Sequence, residues 1–499
     1  MKQMNYIKKA IPVQDACTRR MRADVCFFSE RVTNVTIPRK SLSFPQAALT
    51  FVFAECYNGC TMRLSVWRIY VPIHQPTYAK EGSPVKKLVS LLLALALTLS
   101  CVTALAASKS AKYSMSTENV TVLQDVPDRE INYNKDDLAV NPVIPGESPT
   151  TGLPVAESDR YMPMLVQVAN ELPKSKFKYN GVNTISAGVY SRAPWGGQYA
   201  DIVYEGVLYR TGETRMTFLF NDSFAEGQPV SVGPIRSARY GHALLREEWG
   251  GGLVFGGGPR AQNNNITSFL KELGALEKKA AMDLVHTNDY NDYASRVDGL
   301  QRPNNLDADI VGLRSTIPET TVATPHPFLF TDECPYTDGY ETAYSINLDW
   351  GSPNWISHFY YDENENLYLR YSGIVPYSTY ADGEASAANS TIKSIEDREM
   401  EQMSFSNVIV QRVPYEFANG SYDMPQMQSA FTDGTVAKGN ADIFIGGRYI
   451  PGYWVRESVS SPTVYFDNKG NEIQLTRGKT FIADFPPEAL LTYGMGSAE

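Results

Sequence analysis

An apolar run, "VKKLVSLLLALALTLSCVTALAAS", begins at residue 85 of the chain. It constrains the fold more than any other feature, because such a run behind a basic pair is read by export machinery and does not build a globular core. Lys86 and Lys87 supply the charged start, Leu88 to Leu99 the apolar stretch, and Ala104-Leu105-Ala106 a small-residue cleavage site. Residues 85–106 are therefore expected to be a signal peptide. Two alternatives stay open. One is a lipoprotein signal cut before Cys101; the other is an uncleaved anchor, since Leu88 to Ala107 is uncharged over about the length that spans a bilayer. All three put the residues beyond this run outside the cytoplasm.

The flanks differ in kind. Residues 1–84 hold 12 Lys+Arg against 5 Asp+Glu, a net charge of +7, whereas residues 85–499 hold 33 against 50, a net charge of −17. Halves so opposed rarely serve one fold. The first 84 residues also carry Cys17, Cys26, Cys56 and Cys60, and they show no sustained helical or strand period. We expect residues 1–84 not to be translated, with Val85 as a GUG start. The alternative is a cytoplasmic tail held inward by its positive charge. Tryptic peptides from residues 1–80 in the expressed product would overturn the expectation.

Beyond Ala106 lie 393 residues with the single cysteine Cys334, so neither an internal disulfide nor a cysteine metal cluster can form there. This length suffices for two domains with substantial cores. The acidic balance argues against a nucleic-acid partner, and it leaves a lipid or an anchor as the route to a membrane. Residues 107–157, rich in Ser, Asn, Asp, Thr and Pro, read as a flexible tether. Strand-like runs such as "ADIVYEGVLY" and "TRMTFLF" then alternate with helix-like ones such as "SARYGHALLREEW", which predicts an α/β layered N-terminal domain over residues 158–325. From residue 326 to 499 the texture turns to Tyr-rich hairpins, "HFYYDENENLYLRYSG" and "VYFDNKGNEIQL", predicting a mostly β C-terminal domain and an α+β chain overall.

A series of motifs runs through both domains in order: "APWGGQYADIVYEG" (193–206), "GETRMTFLF" (212–220), "VGPIRSAR" (232–239), "RPNNL" (302–306), "FSNVIVQ" (405–411) and "GRYIPGYWVR" with "YFDNKGNEIQLTRGKTFI" (447–482). Together they resemble the YerB-like family of extracytoplasmic lipoproteins of Gram-positive bacteria. The resemblance covers about residues 160–490 and implies two domains and an envelope address, with no assigned reaction. Two positions depart from the family pattern: its His-containing Gly-rich turn reads "FGGGP" here, after Phe255, and its Pro-His-Asn is Pro303-Asn304-Asn305. Roles of those histidines do not carry over.

Chemistry concentrates at "GPIRSAR". Pro234 suits a first helical position, which would set Arg236 and Arg239 three residues apart on one helical face. Cations at the positive end of a helix dipole call for an anion. Candidate internal partners are Asp201 and Glu205, which share parity on one strand about 13 Å apart at ~3.3 Å per residue, with Glu213 and Arg215 across the Gly212 turn. The candidate ligand-binding set is therefore Asp201, Glu205, Glu213, Arg215, Arg236, Ser237, Arg239 and Asn305, open between an internal ion-pair network and a ligand face. "LVFGGGPRA" has the glycines of an anion-cradling loop without Walker or dinucleotide spacing, and "DENEN" opens like a calcium loop without its Gly and Glu; both read as turns. His242, His286, His326 and His358 lack metal spacing, and no cofactor motif appears. The Tyr-rich stretch 336–380 is either a sugar- or protein-binding surface or ordinary strand composition.

These residues predict a binding or accessory module of the cell envelope, holding an anionic wall component or an envelope protein, without a catalytic motif. The alternative is a hydrolase of envelope glycan or peptide with Glu205 or Glu213 as acid or base and Arg236 and Arg239 stabilising the anion.

Overall fold

The computed structural model describes residues 9–10, 46–57, 61–72, 113–114, 120–133, 138–155, 160–170, 177–179, 182–184, 193–209, 212–262, 264–300, 302–352, 355–372, 375–388, 399–418, 422–425, 431, 434–495 and 497–498. The chain divides into two units, Met1–Lys109 and Ser110–Glu499. In the first, Gln46–Tyr57 pairs antiparallel with Thr61–Pro72, Val52 lying opposite Val66. No strand period was expected there, yet "LTFVF" and "SVWRIYV" are dense in β-branched and aromatic residues, which favour a strand without strict alternation. The expected signal peptide, 85–106, lies outside the described residues.

The second unit is mostly β. Its central sheet is built from β1 (Met164–Ala169), β2 (Ile202–Val207), β3 (Thr214–Phe220), β4 (Gly252–Phe255), β5 (Ala281–Asp283), β6 (Glu341–Thr342), β7 (Asn407–Arg412), β8 (Ala437–Ile445), β9 (Arg448–Arg456), β10 (Thr463–Asp467) and β11 (Thr480–Phe485). The order is β5-β4-β1-β3-β2-β11-β7-β8-β9-β6, with β10 also on β9. Strand β4 runs parallel to β1 and β5, and β11 runs parallel to β2 and β7. Strand β11 thus ties residues from the end of the chain to β2, Ala483 lying opposite Glu205. The stretches 158–325 and 326–499 share this one sheet.

Both faces of the sheet are covered, so its strands read apolar on both sides, as "MLVQVA" does in β1. On one face Leu165, Ile202, Leu219 and Leu253 pack against Leu244, Leu245 and Trp249 of α1 (Tyr240–Trp249) and against Phe269 and Leu270 of α2 (Ile266–Glu272). Gly250, at φ +62°, ends α1 in the left-handed conformation that glycine adopts without strain. On the other face Val166, Val203 and Phe218 meet Ile346, Phe359, Tyr368 and Leu491 of a second sheet. That sheet runs Leu367–Ser372, Trp355–Asp362, Ser345–Ser352, Leu491–Gly494, Thr121–Leu123.

The structure corrects one sequence expectation and narrows another that the sequence leaves open. The described part of 107–157 is laid on the body and does not hang as a tether. Thr121–Leu123 is an edge strand on Leu491–Tyr493. Arg129 reaches the fully buried Asp442 at 2.6 Å and the carbonyl oxygen of Gly452 at 2.7 Å. Ser148, Thr150 and Thr151 are buried against Asp222 and Asp201. Polar composition hid this, because much of the docking is by hydrogen bonds and two ion pairs, Arg129–Asp442 and Glu147–Arg477, with the scattered Leu123, Ile131, Tyr133 and Leu138 adding apolar contacts. The tyrosines Tyr336, Tyr361, Tyr368, Tyr377 and Tyr380 are buried core residues, so they form no exposed binding platform. Of the two expected hairpins, Trp355–Asp362 with Leu367–Ser372 forms one, its turn held by the Asn364 N–H on Asp362 Oδ1. The second is short: Asp467 N–H donates to Asn471 O at 2.9 Å and Ile473 N–H to Tyr465 O at 2.9 Å about the antiparallel Phe466–Glu472 bridge, and Gln474–Thr476 then runs parallel to Leu329–Thr331.

Candidate functional site

The segment "GPIRSAR" is extended, and this corrects the helical reading. Its backbone is stitched to strand ends: Ala169 N–H donates to Pro234 O, Ile235 N–H to Leu306 O, Arg236 N–H to Gln167 O, and Gly256 N–H to Arg236 O. Those pairings outcompete a first helical turn. Helix α1 starts only at Tyr240, with Arg239 at its N-cap in an extended conformation. Arg236 therefore lies between the last residues of β1 and the exit of β4, outside the carboxyl ends of two parallel strands. That is where sheets of this kind open crevices for ligands.

Three guanidinium groups converge there. Arg215, on β3 and fully buried, donates from Nη1 to Ser237 O at 2.9 Å and to Ser237 Oγ at 3.3 Å. Arg239 donates from Nη1 to the same Ser237 Oγ at 2.9 Å and to Ala238 O at 2.9 Å. Burial and the charge of Arg239 pull Arg215 down to about 9 and, with Arg296, Arg236 down to about 10. His242 Nδ1 accepts the Arg239 backbone N–H at 2.9 Å, so the ring caps the helix as a neutral acceptor. Burial and the neighbouring Arg215 and Arg239 hold its pKa well below the usual histidine value. Glu213 faces Arg215 and Arg239, yet burial outweighs their attraction and raises its carboxyl above the usual range. Gln167 and Thr217 share this face, the Thr217 hydroxyl donating to Gln167 Oε1 at 2.9 Å. Gln167 Nε2 is buried and has no hydrogen-bond partner among the described residues.

The other candidates sit elsewhere. Met216 lies opposite Glu205 and Arg215 opposite Gly206, so strand alternation puts Glu205 and Arg215 on opposite faces of the sheet. Glu205 looks toward the second sheet, where its carboxylate accepts from Arg370 at 2.6 Å, Thr214 at 2.6 Å, and Asn170 and Ser357 at 2.9 Å each. Asp201 shares that face, as the parity argument required, but its neighbours are the Thr150 hydroxyl at 2.9 Å and the Asp222 N–H at 3.1 Å. Burial first and Asp222 second raise its pKa well above the carboxylate range. Neither acid joins Arg236 or Arg239. Asn305 accepts from Arg296 Nη1 at 2.9 Å and donates to Leu300 O at 3.2 Å, which shapes the loop carrying Arg296 toward Arg236.

Gln167 and Arg296 were missed from sequence. Gln167 left a readable signal as the one polar residue inside "MLVQVA"; Arg296 left none. Among the described residues no group of three or more His, Cys, Asp or Glu is placed to hold a metal ion. The site gathers guanidinium, amide and hydroxyl groups from Arg215, Arg236, Arg239, Gln167 and Ser237.

Comparison with known proteins gives a consistent picture. Residues 184–323 match the family described as "Protein of unknown function (DUF3048) N-terminal domain", and residues 346–482 match its C-terminal domain. The crystal structure of YerB protein from Bacillus subtilis is similar in fold at 19% identity and a TM-score of 0.50, over 69% of this chain and 99% of that one. No curated protein matches the chain.

Proposed function

This chain belongs to the two-domain, YerB-like DUF3048 family, whose function is unknown, and from that premise we propose that it is an extracytoplasmic binding or accessory protein of the cell envelope. Its arginine face takes an anionic ligand, either a wall component or an acidic segment of an envelope protein. The observation that carries this reading is the convergence of Arg215 and Arg239 on Ser237, with Arg236 beside them, at the carboxyl ends of β1 and β4. Guanidinium groups so placed give planar, charge-assisted hydrogen bonds to carboxylate, phosphate or sulfate oxygens. The same region supports the finer reading of the first half as an α/β layer, since parallel β1, β4 and β5 lie under α1 and α2. The export pattern at 85–106 supports the extracytoplasmic address.

The test is thermal unfolding of the parent, Arg236→Ala and Arg239→Ala in sulfate and in chloride at matched ionic strength. Sulfate at about ten times its Kd stabilises the parent by about 1.4 kcal/mol, and the variants respond less. An equal sulfate increment in all three proteins would refute the reading.

The rival, an envelope hydrolase, keeps one supporting observation: Glu213 has a raised pKa beside two arginines, as a general acid needs. It requires that the full chain release reducing ends or amines from purified envelope and that Glu213→Gln abolish the release.

A further inference from the structure

The Gly-rich turn has a second side. Gly257 O accepts the Ala238 N–H on the arginine side, while Gly257 N–H donates to Asp283 Oδ1 at 2.9 Å on the other. Asp283 ends β5. Its Oδ1 also accepts the N–H groups of Val285 at 3.1 Å and His286 at 3.3 Å, so this oxygen is fixed by three backbone donors. Its Oδ2 lies 2.8 Å from His286 Nδ1. A carboxylate so placed orients the imidazole with Nδ1 as the donor, and this leaves Nε2 as an acceptor. Nε2 has no hydrogen-bond partner among the described residues, and the ring is 35% exposed. Gly257 permits the arrangement, because at φ +77° a Cβ there would lie 2.8 Å from His286 Cε1.

His286 lines a cleft of about 480 Å³ beyond the ends of β4 and β5, within the size range of small-molecule sites. The cleft brings two cations, Arg260 and Lys279, together with the hydroxyl residues Thr267 and Thr287. Asp283 and Asp289 are its acids, and Asp283 is already bound to His286 and within 3.4 Å of Arg260. The geometry points to a ligand site separate from the arginine face, taking a small anionic molecule that bears a hydroxyl group. The anion sits between Arg260 and Lys279, and the hydroxyl donates to His286 Nε2. Asp283 is a positioning residue, since it acts through the ring.

The experiment titrates the full chain with glycerol 3-phosphate while following the histidine ring nitrogens by NMR. The His286 signals shift and saturate at millimolar ligand. Binding weakens by about tenfold, or 1.4 kcal/mol, in Arg260→Ala, whose exposed side chain makes misfolding no concern, and by as much in His286→Gln. Arg236→Ala leaves it unchanged, which separates this site from the arginine face. Absence of a His286 shift, or equal affinity in Arg260→Ala, would overturn the proposal. So would inorganic phosphate binding as tightly as glycerol 3-phosphate, for then the hydroxyl contributes nothing.

Discussion

Replacing Arg370 with alanine should be among the most damaging single changes in this chain. Arg370 and Glu205 are each 1% exposed, one on the second sheet and the other on β2, and their 2.6 Å contact spans the interior between the two sheets. The guanidinium also lies 3.9 Å over the Tyr377 ring and 5.2 Å from the Phe481 ring, so truncation removes packing as well as charge. Glu205 would keep Thr214, Asn170 and Ser357 as neutral donors, which soften the loss without cancelling the charge. Breaking one side of a buried pair costs about 3–5 kcal/mol, and the three remaining donors place Arg370→Ala near the lower end. Guanidinium denaturation followed by tryptophan fluorescence measures it, Trp350 being a local reporter through its bond to Ser357 Oγ at 3.0 Å. The double variant Glu205→Gln/Arg370→Met buries neutral groups of similar volume and should recover about half of the loss or more. A loss under about 1 kcal/mol in Arg370→Ala, or a double variant as unstable as the two single changes added together, would refute the reasoning.

A chain starting at Ser158 should melt several degrees below one starting at Ser110, because it loses the Arg129–Asp442 pair and the hydroxyls on Asp222; equal melting temperatures would restore the tether reading. Burial, reinforced by Glu248 and opposed by Arg456, raises Asp484 from 3.8 to about 7. The folded state then holds a proton that the unfolded state has released, so stability falls as pH rises from about 4 to about 7 and levels off above. Asp484→Asn should flatten that slope in melts taken between pH 4 and pH 8, and an unchanged slope would assign it to other groups.

What could be read from sequence obeyed local rules. Strand parity placed Asp201 and Glu205 on one face because alternation is a property of a single strand. "TRMTFLF" announced a strand for the same reason, and Thr214–Phe220 forms it. The readings that failed depended on pairing between distant segments. Nothing in "GPIRSAR" tells that Gln167 and Leu306 will claim its backbone and keep it extended, and nothing in "ENLYLRY" tells that Arg370 will reach Glu205. The docked segment 120–155 was misread for the same reason, since its anchors, Asp442 and Asp222, lie far along the chain.

The shared sheet gives these long-range contacts a functional consequence. Strand β3 carries Arg215 toward helix α1 on one face, while its neighbour β2 carries Glu205 toward Arg370 on the other. Strand β11 locks β2 to the C-terminal half. The arginine face and the Glu205–Arg370 pair are therefore opposite surfaces of the same few peptide planes. A change at Arg370 that lets β2 shift must also shift Arg215, which donates to Ser237 over less than a residue's length. The C-terminal half thus helps hold the arrangement of Arg215, Arg236 and Arg239 without supplying any of them, and this gives a physical reason for the two family domains to occur together in one chain. Sulfate binding measured on Glu205→Gln/Arg370→Met, folded but repacked at this junction, should be weaker than in the parent even though every arginine of the site is intact.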